Sequence, residues 1–402
     1  MTSIKTVLPA FHGGTPVRTS FLDFSRPVIS DAEKLSVMEV LDSGWLTTGK
    51  KSAEFERSFA DFVGTEFALA VNSCTAGLFL ALKVLSVGPG DEIITTPNTF
   101  PATANVIEHL GAKPVFCDIN LHDGNIDVTQ IAKKVTRNTK GIIPVHFAGA
   151  SCSMDDIQAI ANYYELFVVS DCAHAVETKW YGRNVGQLAD ISAYSFYATK
   201  NLTTGEGGMV VTDDESLYNE MRVLRLHGLS ADAEARYSKE GKYGYDLIAA
   251  GYKFNMPDIL AALGIVQLEN IHENHERRIE LDEYYRNNLK GLPYVTTLKM
   301  DDTDSHAHHL FPILIDFDKL RCDKVEFMAG MKAENIGVSQ HFRPLHLYTY
   351  YKDKYGYKTG EYPNAEKFGE QVITLPFNQY LEFEDAKDVV ESLEKLIIHY
   401  IL

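Results

Sequence analysis

No two of the five cysteines in this 402-residue chain form a C-x-x-C pair, and their number is odd. Cys74, Cys117, Cys152, Cys172 and Cys322 are scattered along the chain, which argues against a disulfide framework and against a cysteine-rich zinc or iron–sulfur site. Dispersed, reduced thiols suit a cytoplasmic protein. No stretch approaches the roughly 18 apolar residues of a membrane span. Residues 1–9 lack a basic segment followed by an apolar one, so no secretory leader is expected. Positive charge is short as well: 38 Lys+Arg against 55 Asp+Glu leave a formal net charge of −17. That balance disfavours nucleic-acid and membrane-surface partners, although a small anionic substrate needs only a local cluster of donors. No internal repeat, no low-complexity tract and no Gly-rich dinucleotide fingerprint after the first strand is found, and the last absence counts against a dinucleotide-linked oxidoreductase.

What is present is ordinary globular material, 45% hydrophobic and 23% charged, in a length that suits two or three domains. Short runs at 67–71, 92–95, 114–117, 141–145, 167–170, 190–194 and 208–211 are apolar throughout rather than alternating. Such runs suit strands covered on both faces, as in a mostly parallel α/β sheet. Helical segments at 76–87 and 102–110 lie between them. Beyond residue 255 the pattern changes. A helix over 258–272 runs into a charged helix over 273–289, followed by a strand at 311–315 and helices at 323–334 and 385–400. The expected architecture is α/β: a large domain with an N-terminal arm over 1–255, then a connecting helix and a small C-terminal α+β domain over 256–402.

Three segments carry chemistry. Asn72-Ser73-Cys74-Thr75-Ala76-Gly77 follows a strand and opens a helix, where free backbone N–H groups can bind an anion; taken alone, Ser and Thr there are more often plain N-caps. Asp171 stands at the exit of a buried strand with His174 three residues on, a place where α/β sheets put ligands and where helices put capping aspartates. Lys200 lies beside a strand end and ahead of Gly205-Glu206-Gly207-Gly208. A lysine there is either a surface residue or a buried amine suited to Schiff-base chemistry. Together the three supply what pyridoxal phosphate needs: an anion cradle, a carboxylate for the ring nitrogen and an amine for the aldehyde.

Ser195-Phe196-x-x-x-Lys200 followed by Gly205-Glu206-Gly207-Gly208, with Asp171-Cys172-Ala173-His174-Ala175 ahead of it, resembles the signature of the DegT/StrS sugar aminotransferases. Similar matches run along the chain at Gly44-Trp45, Pro97-Asn98-Thr99-Phe100, Pro144-Val145-His146, Leu226-His227-Gly228, Gly251-Tyr252-Lys253-Phe254-Asn255 and His341-Phe342-Arg343. The last two, with Arg277-Arg278, look closest to the branch typified by UDP-4-amino-4-deoxy-L-arabinose aminotransferase. The resemblance implies a type I (aspartate aminotransferase-like) pyridoxal-phosphate fold and a homodimer with shared active sites. It implies Lys200 as the Schiff-base lysine and Asp171 on the pyridine nitrogen. The backbone N–H groups of Thr75 and Ala76 and the hydroxyl of Ser195 would hold the phosphate, with Asn255 reaching the phosphate of the neighbouring subunit. Phe100 would stack on the ring, and His174 would lie near the ring hydroxyl and the substrate. Ser170 and Cys172 depart from the family's usual Glu and Ala without replacing Asp171; Cys172 reads as a small buried hydrophobe.

The implied reaction moves an amino group from L-glutamate, leaving 2-oxoglutarate, to a nucleotide-linked keto sugar, a UDP-linked 4-keto sugar above all. The cofactor is pyridoxal 5'-phosphate, with pyridoxamine phosphate as its intermediate form, and the product is an amino sugar nucleotide for a surface glycan such as lipopolysaccharide. Alternatives are a 3-keto sugar or cyclitol ketone, or a non-catalytic regulatory protein on the same fold. Relatives that dehydrate replace the lysine with histidine or add an iron–sulfur cluster, so Lys200 and the dispersed cysteines favour transamination. Trp45 and Thr47 are candidates for the sugar pocket, and His341 and Arg343 for anionic groups of the substrates. His306, His308 and His309 read poorly as a metal site, because neighbours on a strand point to opposite faces. Ser230–Tyr245, with Arg236 and Tyr237, could form a flap over the substrate.

Overall fold

The computed structural model describes residues 8–230, 245–300 and 304–402. Its strands are β1 (Phe67–Val71), β2 (Glu92–Thr95), β3 (Lys113–Phe116), β4 (Thr139–Ile143), β5 (Phe167–Asp171), the short β6 (Lys179–Trp180) and β7 (Arg183–Asn184), β8 (Ile191–Ser195), β9 (Gly208–Thr212), β10 (Val295–Thr297), β11 (Asp304–Ser305), β12 (Phe311–Ile315) and β13 (Val372–Leu375). The main sheet has the order β1-β9-β8-β5-β4-β2-β3. Only β9 runs against its neighbours; β8, β5, β4, β2 and β3 pair in parallel. The fully apolar runs therefore lie where both sheet faces are covered: every residue of β8 and β9 is buried.

This topology gathers the chemistry. Because β9 is antiparallel to both β1 and β8, the carboxyl ends of β1, β5 and β8 meet the start of β9 at one edge of the sheet. Asn72, Asp171, Ser195 and Gly208 stand there, at the end of an α/β sheet where ligands bind. Helix α1 (Asp31–Ser43) and α2 (Lys50–Val63) precede β1, and α3 (Cys74–Val84) follows it. Helix α3 packs closely on the sheet because Gly77 has no side chain: a Cβ there would stand 2.7 Å from Val210 Cγ2. The helix begins two residues earlier than the sequence pattern indicates, because Ser73 caps it by accepting from the Ala76 N–H at 3.1 Å. Helices α4 (Pro101–His109), α5 (Val128–Lys134), α6 (Met154–Tyr164) and α7 (Glu215–Arg225) complete this half of the chain.

The apolar segment at 258–272 and the charged one after it are two helices, α8 (Asp258–Glu269) and α9 (Ile271–Leu289). The break falls at Asn270, whose backbone N–H and side-chain amide both turn back to the Val266 carbonyl. Helix α8 is buried against α1 and α2, while α9 leads to a second, antiparallel sheet of order β10-β12-β13. Helices α10 (Lys324–Ala333), α11 (Thr349–Tyr355), α12 (Pro363–Gln371) and α13 (Phe383–Tyr400) follow. Leu281, Tyr285 and Leu289 of α9 share a core with Ile313, Phe327, Ile373 and Leu393. The N-terminal arm lies on this C-terminal part: Ala10 and Val17 N–H donate to the buried Glu334 carboxylate, which also pairs with Lys395 at 2.9 Å. Arg18 reaches Asp385 and Asp388, each at 2.7 Å. Among the described residues no helix is long and apolar enough to cross a membrane.

Candidate active site

The anion cradle is the first turn of α3. Ser73 occupies the Ala76 N–H and accepts with its carbonyl from the Gly77 N–H at 3.1 Å, whereas the N–H groups of Cys74 and Thr75 have no acceptor four residues back within the helix. Thr75 is exposed at this edge. Gly208 lies beside Ser195 in the ladder of β8 and β9. A Cβ at Gly208 would fall 2.6 Å from both Cys74 N and the Ser73 carbonyl carbon. The start of β9 is thus pressed against the helix N-terminus, and only glycine leaves that room.

Asp171 ends β5 with its carboxyl buried. Oδ2 accepts from the Thr103 hydroxyl at 2.8 Å and Oδ1 from the Ala173 N–H at 3.1 Å. Burial pushes this carboxyl above its ordinary range, while the Thr103 hydroxyl, the Ala173 N–H and the Lys200 amine pull it back down. Lys200 sits in the turn after β8, where its N–H donates to the Tyr197 carbonyl at 2.9 Å. Burial lowers its amine to about 8, against the opposing pull of Asp171 and Cys74. At neutral pH such an amine is far closer to its free-base form than a surface lysine.

His174 is buried beside this pair. Its Nδ1 accepts from the Ala148 N–H at 3.2 Å, so a neutral ring carries its proton on Nε2. Burial, then Lys200 and His341, hold it well below the usual imidazole range. Its ring lies 4.5 Å from that of His309, and His309 Nε2 lies 3.4 Å from Lys200 Nζ. Sequence reasoning missed two residues here. Thr103 touches Asp171 across a separation of 68 positions and His309 touches Lys200 across 109; the only local hint was His309's place at a strand edge.

The other sequence-derived candidates are spread more widely. Phe100 caps the start of α4 with its ring 63% exposed and 6.5 Å from the ring of Phe342. His341 is part of this neighbourhood: its Nδ1 meets the Thr374 hydroxyl at 2.9 Å, and burial together with Lys200 pushes it down to about 4. Asn255 bridges Val71 beside the cradle, with its amide on the Thr48 hydroxyl and its oxygen accepting from Lys253, both at 2.6 Å. Trp45 lines a different cavity, with Lys50, Lys51 and Asp258, and Thr47 is exposed. Arg343 is exposed and donates to the Leu347 carbonyl of its own turn at 2.9 Å. Within one chain, then, Trp45, Thr47 and Arg343 are not brought beside Lys200. His306 and His308 turn away toward Asp282 and His275, so the three histidines are split between two places. Of the flap expected over Ser230–Tyr245, residues 231–244, Arg236 and Tyr237 among them, lie outside the described residues.

A sequence profile of the DegT/DnrJ/EryC1/StrS aminotransferase family matches residues 27–394. The chain belongs to that family. It is 45% identical over 381 residues to the spore coat polysaccharide biosynthesis protein SpsC of Bacillus subtilis, covering 94% of this chain and 98% of SpsC. It is similar to the putative sugar aminotransferase Spr1654 from Streptococcus pneumoniae in its PLP form, with a TM-score of 0.88 at 33% identity over 94% of this chain and 99% of that one. DesI, solved in the presence of its TDP-sugar product, matches with a TM-score of 0.85 at 29% identity over 98% of this chain and 96% of that one. This DegT/DnrJ/EryC1/StrS member has the type I pyridoxal-phosphate fold, with its large mixed sheet, and is a pyridoxal-phosphate-dependent aminotransferase.

The residues at the sheet edge fit that cofactor. A helix N-terminus whose Thr75 N–H has no intrahelical acceptor can take a phosphate, the carboxyl of Asp171 can face a ring nitrogen, and half-buried Lys200 offers an amine whose proton is held weakly. When bound, pyridoxal phosphate supplies an aldehyde to receive an amino group and a ring that accepts electrons from the substrate carbon. The five cysteines are all free and buried; Cys172 sits in the core beside Tyr194.

Proposed function

We propose that this aminotransferase moves an amino group from L-glutamate to a nucleotide-linked keto sugar, a UDP-linked 4-keto sugar of the kind handled by the UDP-4-amino-4-deoxy-L-arabinose branch, and so makes an amino sugar nucleotide for a surface glycan. What carries the reading is the amine of half-buried Lys200 at the sheet end that also holds Asp171, 3.4 Å from His309 Nε2, with desolvation lowering it to about 8. An amine so poised can attach a carbonyl and, once released, take the proton from the Cα of the donor at its Nζ. Asp171 keeps a proton on the ring nitrogen, and the first turn of α3 with the Ser195 hydroxyl holds the phosphate: Thr75 offers its N–H directly, and Ala76 offers its own on exchanging the Ser73 hydroxyl for a phosphate oxygen. His174 presents Nε2–H to the reacting groups, and Phe100 covers the ring. The TDP-sugar product of DesI supports a nucleotide-linked sugar as acceptor, and the name of SpsC supports a polysaccharide as its destination.

A panel of UDP-, dTDP- and GDP-linked 3- and 4-keto sugars, each with L-glutamate, tests the acceptor. The highest kcat/KM is expected with the UDP-linked 4-keto sugar. A maximum on a dTDP-linked sugar would reassign the nucleotide, and equal inactivity on all would reject a nucleotide sugar altogether. A bound cofactor whose absorbance ignores L-glutamate would favour a regulatory protein on the same fold.

We also propose a homodimer with shared active sites, acting in the cytoplasm, each chain divided near residue 255 into a large and a small domain. Two features support the dimer. Leu35, Met38 and Leu41 expose apolar surface along α1. Trp45, Thr47 and Arg343 are placed away from their own Lys200, and we assign them, with His341 of that site, to a neighbouring site; Asn255 would exchange its present bonds to Thr48 and Lys253 for a neighbouring phosphate. Light scattering should give twice the 45.0 kDa of one chain; a mass of one chain at working concentration would reject the shared site.

A further inference from the structure

Behind Lys200 runs a buried row of side chains to which the proposed roles give no task. His309 Nε2 lies 3.4 Å from Lys200 Nζ, and His309 Nδ1 lies 2.9 Å from Asn201 Oδ1. The far side of Asn201 decides which atom is which. Its Nδ2 donates to Glu177 Oε2 at 2.9 Å and to the Ala307 carbonyl at 2.8 Å. An amide whose nitrogen faces two acceptors must turn its oxygen to the histidine. His309 therefore carries its proton on Nδ1 and offers the Nε2 lone pair to the lysine. Glu177 is fixed in turn by the guanidinium of Arg278, which also donates to Gln379 Oε1 at 3.1 Å. Arg278, Glu177, Asn201 and His309 are all buried, and reversing the ring's tautomer would set a bare Nδ1 against the Asn201 oxygen.

We propose that His309 is a positioning residue for Lys200: its pinned Nε2 accepts an N–H of the lysine amine, favours the protonated amine, and orients the remaining amine hydrogens and lone pair away from the imidazole. The reason is that an acceptor binds an ammonium N–H more strongly than a neutral amine N–H. His309 thus works against the burial that drives the lysine down, alongside Asp171 and Cys74, while His174 and His341 face the same space as neutral rings. Burial, Lys200, His174, His341 and Arg278 all hold His309 itself well below the usual imidazole range, so near neutral pH its Nε2 is an acceptor. The outcome is a lysine basic enough to take a proton yet weak enough to release it.

The inference rests on Lys200 being the cofactor lysine, and the two can fail separately. Borohydride reduction of the holoenzyme followed by peptide mapping locates the cofactor lysine; attachment elsewhere would remove that reading whatever His309 does. For His309, the holoenzyme is placed in its pyridoxamine-phosphate form, where no lysine is bound to the cofactor. Acetylation of Lys200 by acetic anhydride is then followed by mass spectrometry across about pH 6 to 10. His309→Asn keeps a donor toward Asn201 but cannot reach Lys200. Its lysine should titrate about one pH unit lower than wild type and react up to about tenfold faster near neutrality. His309→Gln places an amide oxygen near the site of Nε2 and should return the titration to within about 0.3 of a unit of wild type. An unshifted Lys200 in a folded His309→Asn overturns the proposal, as does the same shift in both variants. Should His309→Asn fail to fold, Asn201→Ser unpins the ring and must shift Lys200 the same way, by a smaller amount; no shift there also overturns it.

Discussion

Lys200→Ala should lower the turnover of amino donor and keto sugar by at least about 10⁴-fold, equivalent to roughly 5.5 kcal/mol of lost barrier reduction. Two tasks vanish with one side chain. On the proposed reading the amine at this position holds the cofactor, and after release it is the base nearest the donor Cα. Among the described residues the remaining nearby bases are much weaker, including the Nε2 lone pair that His309 turns toward the lysine. His174 and His309 are both held far below the ordinary imidazole range by burial and are already committed, His174 Nδ1 to Ala148 and His309 Nδ1 to Asn201. The variant should be folded and should lack the visible absorbance of a lysine-bound cofactor. Since the lost group is a small primary amine in a preformed space, added methylamine should restore part of the rate. Full turnover in Lys200→Ala would remove the lysine from the reaction.

Asp171→Asn should cut kcat by about a hundredfold or more while leaving the melting temperature close to wild type. The carboxyl is placed where burial makes its charge costly, and the Thr103 hydroxyl and Ala173 N–H retain only part of that charge stabilisation. A cationic partner on a ring nitrogen would complete it, and an amide cannot hold that proton. The amide fits the same space, however: its oxygen can still accept from the Ala173 N–H while its NH2 donates to the Thr103 hydroxyl, which can donate on to Thr99, so stability should change by less than about 1 kcal/mol. A loss of activity that tracked a loss of fold would point to a structural aspartate. An unchanged kcat in a folded variant would reject its role outright.

These two residues were legible in the sequence because their placement is local. Asp171 closes an apolar run, Lys200 follows another, and the buried strands β5 and β8 put both at one edge of the sheet. The cradle was legible for the same reason: Ser73 is an N-cap by type, and the helix after it is apolar enough to be packed. Helix ends were less so. The separation of α8 from α9 hangs on one asparagine turning back to the Val266 carbonyl, a choice that apolar periodicity does not record.

Composition and pattern by themselves determined an α/β chain with a mostly parallel sheet, reduced thiols and an ordered set of phosphate loop, carboxylate and lysine. Tertiary structure alone decided who stands beside them. Thr103, His309 and Arg278 reach their partners across separations of 68, 109 and 101 residues, and Trp45 and Arg343, which the motif pattern suggested for substrate, are held elsewhere by Thr48 and Leu347. The physical reason is the range of the forces. Strand, helix and cap preferences act over a few residues and can be read along the chain. Burial, tautomer and basicity are set by whichever distant segments the packing brings together, and so Lys200 acquires its weakened proton, and His309 its fixed lone pair, only in the folded chain.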